Sequence, residues 1–184
     1  MNRIIKIILL DILKNKIVLA YTLIMALLSW SSFALEDNSS KGLLTILNII
    51  LFTVPLVSIL FSTIYIYNSA EFIELLLSQP IKRIKIWLSL FFGLSISMVL
   101  AFGVGAGIPL LINAPDSIGL MMVVVGSLIS VIFVALAFLS SIITRDKAKG
   151  IGIAIMTWLY FALIFDGMVL FLLFQFQEYP IENA

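Results

Sequence analysis

The chain has 184 residues, of which 62% are hydrophobic and only 11% are charged, and its mean hydropathy is +1.22. So few polar side chains cannot cover a surface that faces water, and this composition excludes a soluble globular domain. It indicates an all-α protein that crosses a lipid bilayer several times. The net charge of +1 gives no support for binding to nucleic acid.

Most enzymatic chemistry is excluded by the amino acids that the chain lacks. Cys and His are both absent, which removes thiolate nucleophiles, imidazole bases, structural zinc and His-ligated haem. No phosphate-binding loop of the form G-x-x-x-x-G-K-[ST] occurs, so ATP-driven work would need another subunit. Seven Met residues raise a copper hypothesis, and the alternative is that they fill gaps in packing. We expect no cofactor, no metal site and no catalytic residue in this chain.

The first elements are an interfacial helix and a membrane span. Residues 2–16 carry charged side chains on one arc and Ile and Leu on the other, which predicts a helix on the membrane surface. The apolar stretch 17–35 then predicts the first span. A small-x-small pattern at Ser32-Phe33-Ala34 leaves a cleavable signal peptide as the alternative, although the charged segment before it is long for a signal peptide.

A second span is predicted at 43–67, with a kink or local break at Pro55. After it, a short amphipathic helix is predicted at about 69–78, outside the bilayer. Asn68 and Glu71 have the spacing of a capping box at its start, and Pro80 would end it.

The rest of the chain predicts three further spans, at 86–112, 118–143 and 150–174. A turn at 113–117 joins the first two of these, and a basic loop at 144–149 joins the last two. The segment 175–184 is polar and acidic. Five spans therefore leave the two ends of the chain on opposite sides of the membrane.

The positions of the basic residues predict the orientation. Ten of the eleven lie in three clusters that alternate with the spans, and Lys41 is the exception. The clusters are Arg3, Lys6, Lys14 and Lys16; Lys82, Arg83 and Lys85; and Arg145, Lys147 and Lys149. By the positive-inside rule the amino terminus and both basic loops are cytoplasmic. The carboxy terminus of this chain would be periplasmic, in a multi-pass protein of the inner membrane.

Three sets of residues are candidates for function. In the short helix, Glu71, Glu74 and Ser78 share one face, which would meet a cytoplasmic partner or, alternatively, be the solvated edge of a surface helix. Gly103 and Gly107 have the spacing that lets helices approach closely, for packing or for a gliding interface. Asp166 is an acid inside an apolar span, either on a substrate path or satisfied by polar neighbours near the outer interface.

The stretch Glu71-Phe72-Ile73-Glu74-Leu75-Leu76-Leu77-Ser78-Gln79-Pro80-Ile81-Lys82-Arg83, placed between the second and third spans, resembles a motif of ABC-2 type transporter permeases. In that family this stretch is the coupling helix, which contacts the ATPase subunit. The resemblance implies a coupling role for Glu71, Glu74, Leu75, Ser78, Pro80 and Arg83. It also implies a homodimer that pairs with cytoplasmic P-loop ATPases, which bind the ATP and Mg²⁺. On this interpretation residues 1–184 are a single ABC-2 type transmembrane domain and not an enzyme.

A later segment, from Arg145-Asp146-Lys147 through Trp158-Leu159-Tyr160-Phe161 to Phe165-Asp166, narrows the resemblance to the NosY-type permeases. These serve the maturation of the copper site of nitrous oxide reductase, with a periplasmic accessory protein and a sulfur-containing substrate. The alternatives are a permease for drugs, polysaccharides or gliding, a membrane scaffold that transports nothing, and an intramembrane enzyme. ABC-2 permeases have six spans, so a sixth span is expected to be missing from this sequence.

Overall fold

The computed structural model describes residues 2–35, 39–78, 82–165, 167–168 and 171. Within these ranges the chain is helical and contains no strand. The helices are α1 (Asn2–Leu13), α2 (Lys16–Leu35), α3 (Ser39–Asn68), α4 (Ala70–Leu77), α5 (Arg83–Phe102), α6 (Ile108–Asn113), α7 (Ser117–Ile143) and α8 (Lys147–Leu159). A π-helical segment, Gly103–Gly107, joins α5 to α6, and a second one, Tyr160–Phe165, follows α8.

Five helical stretches are long and apolar enough to cross a membrane, so the chain is a multi-pass helical membrane protein. They are Lys16–Leu35, Lys41–Asn68, Arg83–Asn113, Ser117–Ile143 and Lys147–Ile164. The five predicted spans are confirmed. The carboxy-terminal part of the predicted fifth span, up to residue 174, lies mostly outside the described residues.

Helix α3 is the centre of the bundle. It packs against α2, α5, α7 and α8, and its most extensive contact is with α7. A cluster of Ile59, Phe133, Ala137 and Ala154 forms the core between α3, α7 and α8. The two most extensive contacts, of α3 with α7 and of α1 with α5, join helices that are not consecutive in the chain.

Of the kink or local break that was predicted at Pro55, the break is not present. Helix α3 runs as one helix from Ser39 to Asn68 with Pro55 inside it. Proline removes one backbone donor, and membrane helices tolerate this where neighbouring groups satisfy the freed carbonyl groups. The carbonyl group that loses its donor to Pro55 is that of Leu51, four residues earlier. The indole Nε1 of Trp158 in α8 donates a hydrogen bond of 3.2 Å to the adjacent carbonyl oxygen, that of Phe52. The α3–α8 contact therefore supports the weakened turn.

The structure also changes the interpretation of the first helix. Helix α1 packs along α5, and its Ile8 and Ile12 are 1% and 0% exposed within the main core. Asp11 meets Tyr65 near one end of α3, and Phe33 of α2 lies beside Gly42 near the other end. Helix α2 thus packs along α3, whereas α1 packs mainly on α5 and meets α3 at Tyr65. The predicted surface helix buries its apolar stripe in protein, because a stripe of this kind can pack against either lipid or a neighbouring helix.

Candidate functional site

One end of the bundle carries the second and third basic clusters, at the α3–α4–α5 and α7–α8 connections. We call it the basic end. Helix α4 lies there as a separate short helix between the second and third spans, and it contacts α3 and α5. The predicted helix of residues 69–78 is present as Ala70–Leu77.

Helix α4 has one buried face and one exposed face. Ile73 and Leu76 are 7% and 9% exposed and join the main core. With 3.6 residues per turn, the opposite face consists of Glu71, Glu74, Leu75 and Ser78, all of which are exposed. The helical spacing had placed Glu71, Glu74 and Ser78 on one face, and Leu75 is among the residues for which the resemblance implied a coupling role.

Leu75 is the least expected member of this exposed face. It is 66% exposed and lies on the same face as the two acidic side chains, next to Glu74 in sequence and one turn after Glu71, while Phe72 and Leu77 on the flanks are 41% and 37% exposed. In the described part of the chain, Glu71 and Glu74 have no ion-pair partner. The helix therefore presents a surface of acidic and apolar side chains together. Of its apolar side chains, Ile73 and Leu76 are buried, and Phe72, Leu75 and Leu77 are exposed.

The predicted capping box at the start of α4 is not formed. Ser69 is the N-cap residue and makes no side-chain cap, and the helical backbone bonds run from Ser69 back to Tyr65 and from Ile73 back to Ser69. The Asn68 side chain is used elsewhere, because its Oδ1 accepts a 2.8 Å hydrogen bond from Nζ of Lys147. A tertiary contact has replaced the local one.

The end of α3 also holds the α7–α8 loop. The hydroxyl group of Tyr67 donates a 2.7 Å hydrogen bond to the carbonyl oxygen of Thr144, and the Tyr67 ring lies where a Cβ atom on Gly150 would be. The loop itself is ordered by Asp146, whose Oδ1 accepts from the backbone N–H groups of Ala148 and Lys149 at 2.8 and 3.2 Å. Asp146 is thus the N-cap of α8. The sequence did not indicate that Tyr67 belongs to this site. The only local sign was Gly150, a glycine in the first turn of α8.

A cavity of about 320 Å³ opens between α1 and the α3–α4 junction. Its polar groups include the side chains of Asp11, Tyr65 and Asn68, and Phe72 of α4 forms part of its wall. The hydroxyl group of Tyr65 donates a 3.1 Å hydrogen bond to Oδ2 of Asp11. The first helix therefore contributes to the site at the basic end.

Comparison with known proteins adds no relative. No family model matches the chain, and none of the curated proteins is significantly similar to it. The information on function therefore comes from the residues of the basic end.

Arg83 is the first residue of α5, and its side chain is exposed, as are those of Lys82 and Lys85. The predicted site residues Pro80 and Asp166 lie outside the described residues. In the part of the chain that the structure describes, no group of three or more acidic residues could hold a metal ion. Of the methionines, Met25 and Met98 are buried in the main core, which fits a packing role.

The small residues of the third span do allow a close helix contact, but at a different position. A Cβ atom on Gly105 would lie 2.8 Å from the carbonyl oxygen of Thr22 in α2. A Cβ atom on Gly103 would meet no described atom within 4 Å, and one on Gly107 would make an ordinary contact with Val123 at 3.6 Å. The close approach is therefore at Gly105, in the π-helical segment that packs against α2.

Proposed function

We propose that this chain is the transmembrane permease subunit of an ABC-2 type transporter, in which α4 is the helix that a separate cytoplasmic ATPase contacts. The observation that carries the proposal is the exposed face of α4. Leu75 is 66% exposed and shares this face with Glu71 and Glu74, at the end of the spans. A protein partner that buries Leu75 and supplies basic groups to the two carboxylates accounts for all three side chains.

A helix that merely lies on the membrane surface explains the exposure of Glu71, Glu74 and Leu75 less well. Turning Leu75 toward lipid would turn Glu71 and Glu74 the same way, since the three residues share a face. Acidic side chains next to anionic headgroups are unfavourable. The side of α4 that suits an apolar environment is already packed on the protein through Ile73 and Leu76.

The contacts of α4 also provide a path for coupling. Helix α4 continues from α3 after Ser69, and α3 packs against both α7 and α8. Tyr67 and Asn68 at the end of α3 bind the α7–α8 loop. A push on α4 by the ATPase would therefore reach the second, fourth and fifth spans together. ATP and Mg²⁺ would be bound by the ATPase and not by this chain.

The assembly that we propose contains two copies of the chain and two ATPase subunits, with an accessory protein on the periplasmic side. The fifth span supports a second copy, because only 11% of the residues in its apolar stretch are buried within the described part of the chain, against 56% for the third span. The orientation follows from the positive-inside rule, with the basic end in the cytoplasm and the spans in the inner membrane.

A more specific proposal is a NosY-type permease, which would export a sulfur-containing species for assembly of the copper site of nitrous oxide reductase. Its support is the likeness of the segment from Arg145 to Asp166 to those permeases. Neighbouring genes for a P-loop ATPase, a periplasmic repeat protein and a nitrous oxide reductase would favour it. Neighbouring genes for drug, polysaccharide or gliding systems would indicate a different substrate and would leave the ABC-2 proposal unchanged.

The decisive experiment reverses the charge on the exposed face of α4. The double variant Glu71→Lys/Glu74→Lys should lose co-purification with the ATPase subunit and lose ATP-dependent transport, while the chain still inserts in the membrane. Asp116→Lys is the matched control, because Asp116 is also an exposed acid but precedes α7 at the opposite end of the bundle. Full ATPase binding and activity in the double variant would reject the coupling role and favour a scaffold that transports nothing.

A further inference from the structure

The cavity between α1 and the α3–α4 junction has the features of a binding site, and no feature of the proposed transport cycle requires it. Its volume is about 320 Å³. It lies beside the end of α3 and beside Asp11, which precedes the first residue of α2 by five positions. Both helices place it at the edge of the apolar spans, which is the level of the lipid headgroups.

The chemistry of the cavity wall selects for a cation. Asp11 supplies a carboxylate, and Tyr65, which donates to Oδ2, leaves Oδ1 of Asp11 free to accept another hydrogen bond. Phe72 presents an aromatic side chain that is 41% exposed. A carboxylate and an aromatic ring both attract a positive charge. No Lys or Arg is among the described residues that line the cavity.

The surroundings of the cavity favour a cation that is attached to a lipid. Ile7, which lines the entrance, is 59% exposed, and Leu10 beside it on α1 is 45% exposed. These side chains would contact acyl chains. Lys14, one turn further along α1 from Asp11, is exposed and could meet a phosphate group. A zwitterionic headgroup, with an ammonium group at Asp11 and a phosphate group at Lys14, fits this arrangement.

We propose that this cavity binds the primary ammonium group of an ethanolamine phospholipid, held by a hydrogen bond to the Asp11 carboxylate. A primary ammonium group can donate that bond, whereas the quaternary group of choline cannot. Because Phe72 belongs to α4, a bound headgroup would also contact α4 and bear on its position. The proposal does not rest on the transporter assignment, since lipid binding requires no ATPase.

The test is native mass spectrometry of the purified full chain, with phosphatidylethanolamine, phosphatidylcholine or phosphatidylglycerol added in turn to delipidated protein. The wild type should retain phosphatidylethanolamine in preference to the other two. Asp11→Asn, which keeps the size and removes the charge, should weaken that retention about tenfold, as expected for loss of a charge-assisted hydrogen bond. Tyr65→Phe should leave the preference in place, because it removes only the neighbouring hydroxyl group.

Asp116→Asn is the matched control, since it removes an exposed carboxylate at the other end of the bundle, and it should bind all three lipids like the wild type. Helical content measured by circular dichroism shows that each variant is folded. Equal retention of ethanolamine and choline lipids by the wild type would overturn the proposal, and so would unchanged retention by Asp11→Asn. If soluble phosphoethanolamine displaced the lipid at equal concentration, the cation site would stand and the lipid source would be wrong.

Discussion

The hydroxyl group of Tyr67, in the last turn of α3, donates a 2.7 Å hydrogen bond to the carbonyl oxygen of Thr144, the residue that ends α7. This bond joins the two connections of the basic end, which lie 77 residues apart in the chain. It predicts that Tyr67→Phe loosens the α7–α8 loop and costs about 1 kcal/mol of stability. Limited trypsin digestion measures this directly, because Arg145, Lys147 and Lys149 are exposed cleavage sites in and beside that loop.

Cleavage in the loop should be faster in Tyr67→Phe than in the wild type. Tyr160→Phe is the control, since Tyr160 lies at the other end of α8 and its ring is 49% exposed. Identical digestion rates in Tyr67→Phe and the wild type would show that the bond does not restrain the loop.

Two glycines of α8 give opposite predictions for the same substitution. The Tyr67 ring occupies the place of a Cβ atom on Gly150, whereas a Cβ atom on Gly152 would meet no described atom within 4 Å. Gly150→Ala should destabilise the protein by about 1–3 kcal/mol through overpacking. Gly152→Ala should be neutral or should stabilise α8 by up to about 1 kcal/mol, because alanine favours a helix. Thermal unfolding in detergent compares the two, and equal shifts would contradict the packing seen here.

A second pair tests the contact between α2 and the π-helical segment. Gly105→Ala places a methyl group 2.8 Å from the carbonyl oxygen of Thr22 and 2.9 Å from Cβ of Met25. Because two backbones must then separate, we expect a loss of about 1–3 kcal/mol and weaker packing of α2. Gly103→Ala has free space and should behave like the wild type. The midpoint of thermal unfolding distinguishes the two variants. A larger loss of stability in Gly103→Ala than in Gly105→Ala would contradict the contact at Gly105.

Leu75 and Leu76, which are consecutive in α4, allow stability and partner binding to be tested separately. Leu76 is 9% exposed and Leu75 is 66% exposed. Leu76→Ala should destabilise the protein by about 2–5 kcal/mol, as core truncations do. Leu75→Ala should leave the unfolding temperature unchanged and weaken binding of the ATPase subunit that we propose. Pull-down of that subunit and thermal unfolding are measured on the same preparations, and normal binding by Leu75→Ala would remove Leu75 from the docking face.

The turn before Pro55 should depend on Trp158. Its ring packs edge to face on Phe52 at 4.8 Å, and its Nε1 donates to the Phe52 carbonyl group. Trp158→Phe keeps an aromatic ring and removes the donor, so it should cost about 1 kcal/mol. Trp30→Phe is the control, because Trp30 is 57% exposed. Hydrogen exchange near residues 51–56 should rise in Trp158→Phe only, and an unchanged exchange rate would show that the turn needs no support.

The exposed face of α4 shows which structural features helical spacing alone can predict. The helical spacing placed Glu71, Glu74 and Ser78 on one face, and in the structure these side chains do lie on one exposed face, to which Leu75 also belongs. The spacing of residues along a helix determines which of them share a face, and this geometry is local. The sequence could not tell that Leu75 stays exposed while Leu76 is buried, since both are leucines in an apolar run.

By itself the sequence determined that this is a helical membrane protein with five spans and a short amphipathic helix between the second and third. These properties follow from runs of apolar residues and from local periodicity, which need no knowledge of neighbours. Only the tertiary structure decided that α1 packs on α5, that Gly105 rather than Gly103 meets α2, and that Tyr67 binds Thr144. Spans that are apolar on almost every face do not indicate which face meets which helix, so these long-range contacts depend on how the whole bundle packs.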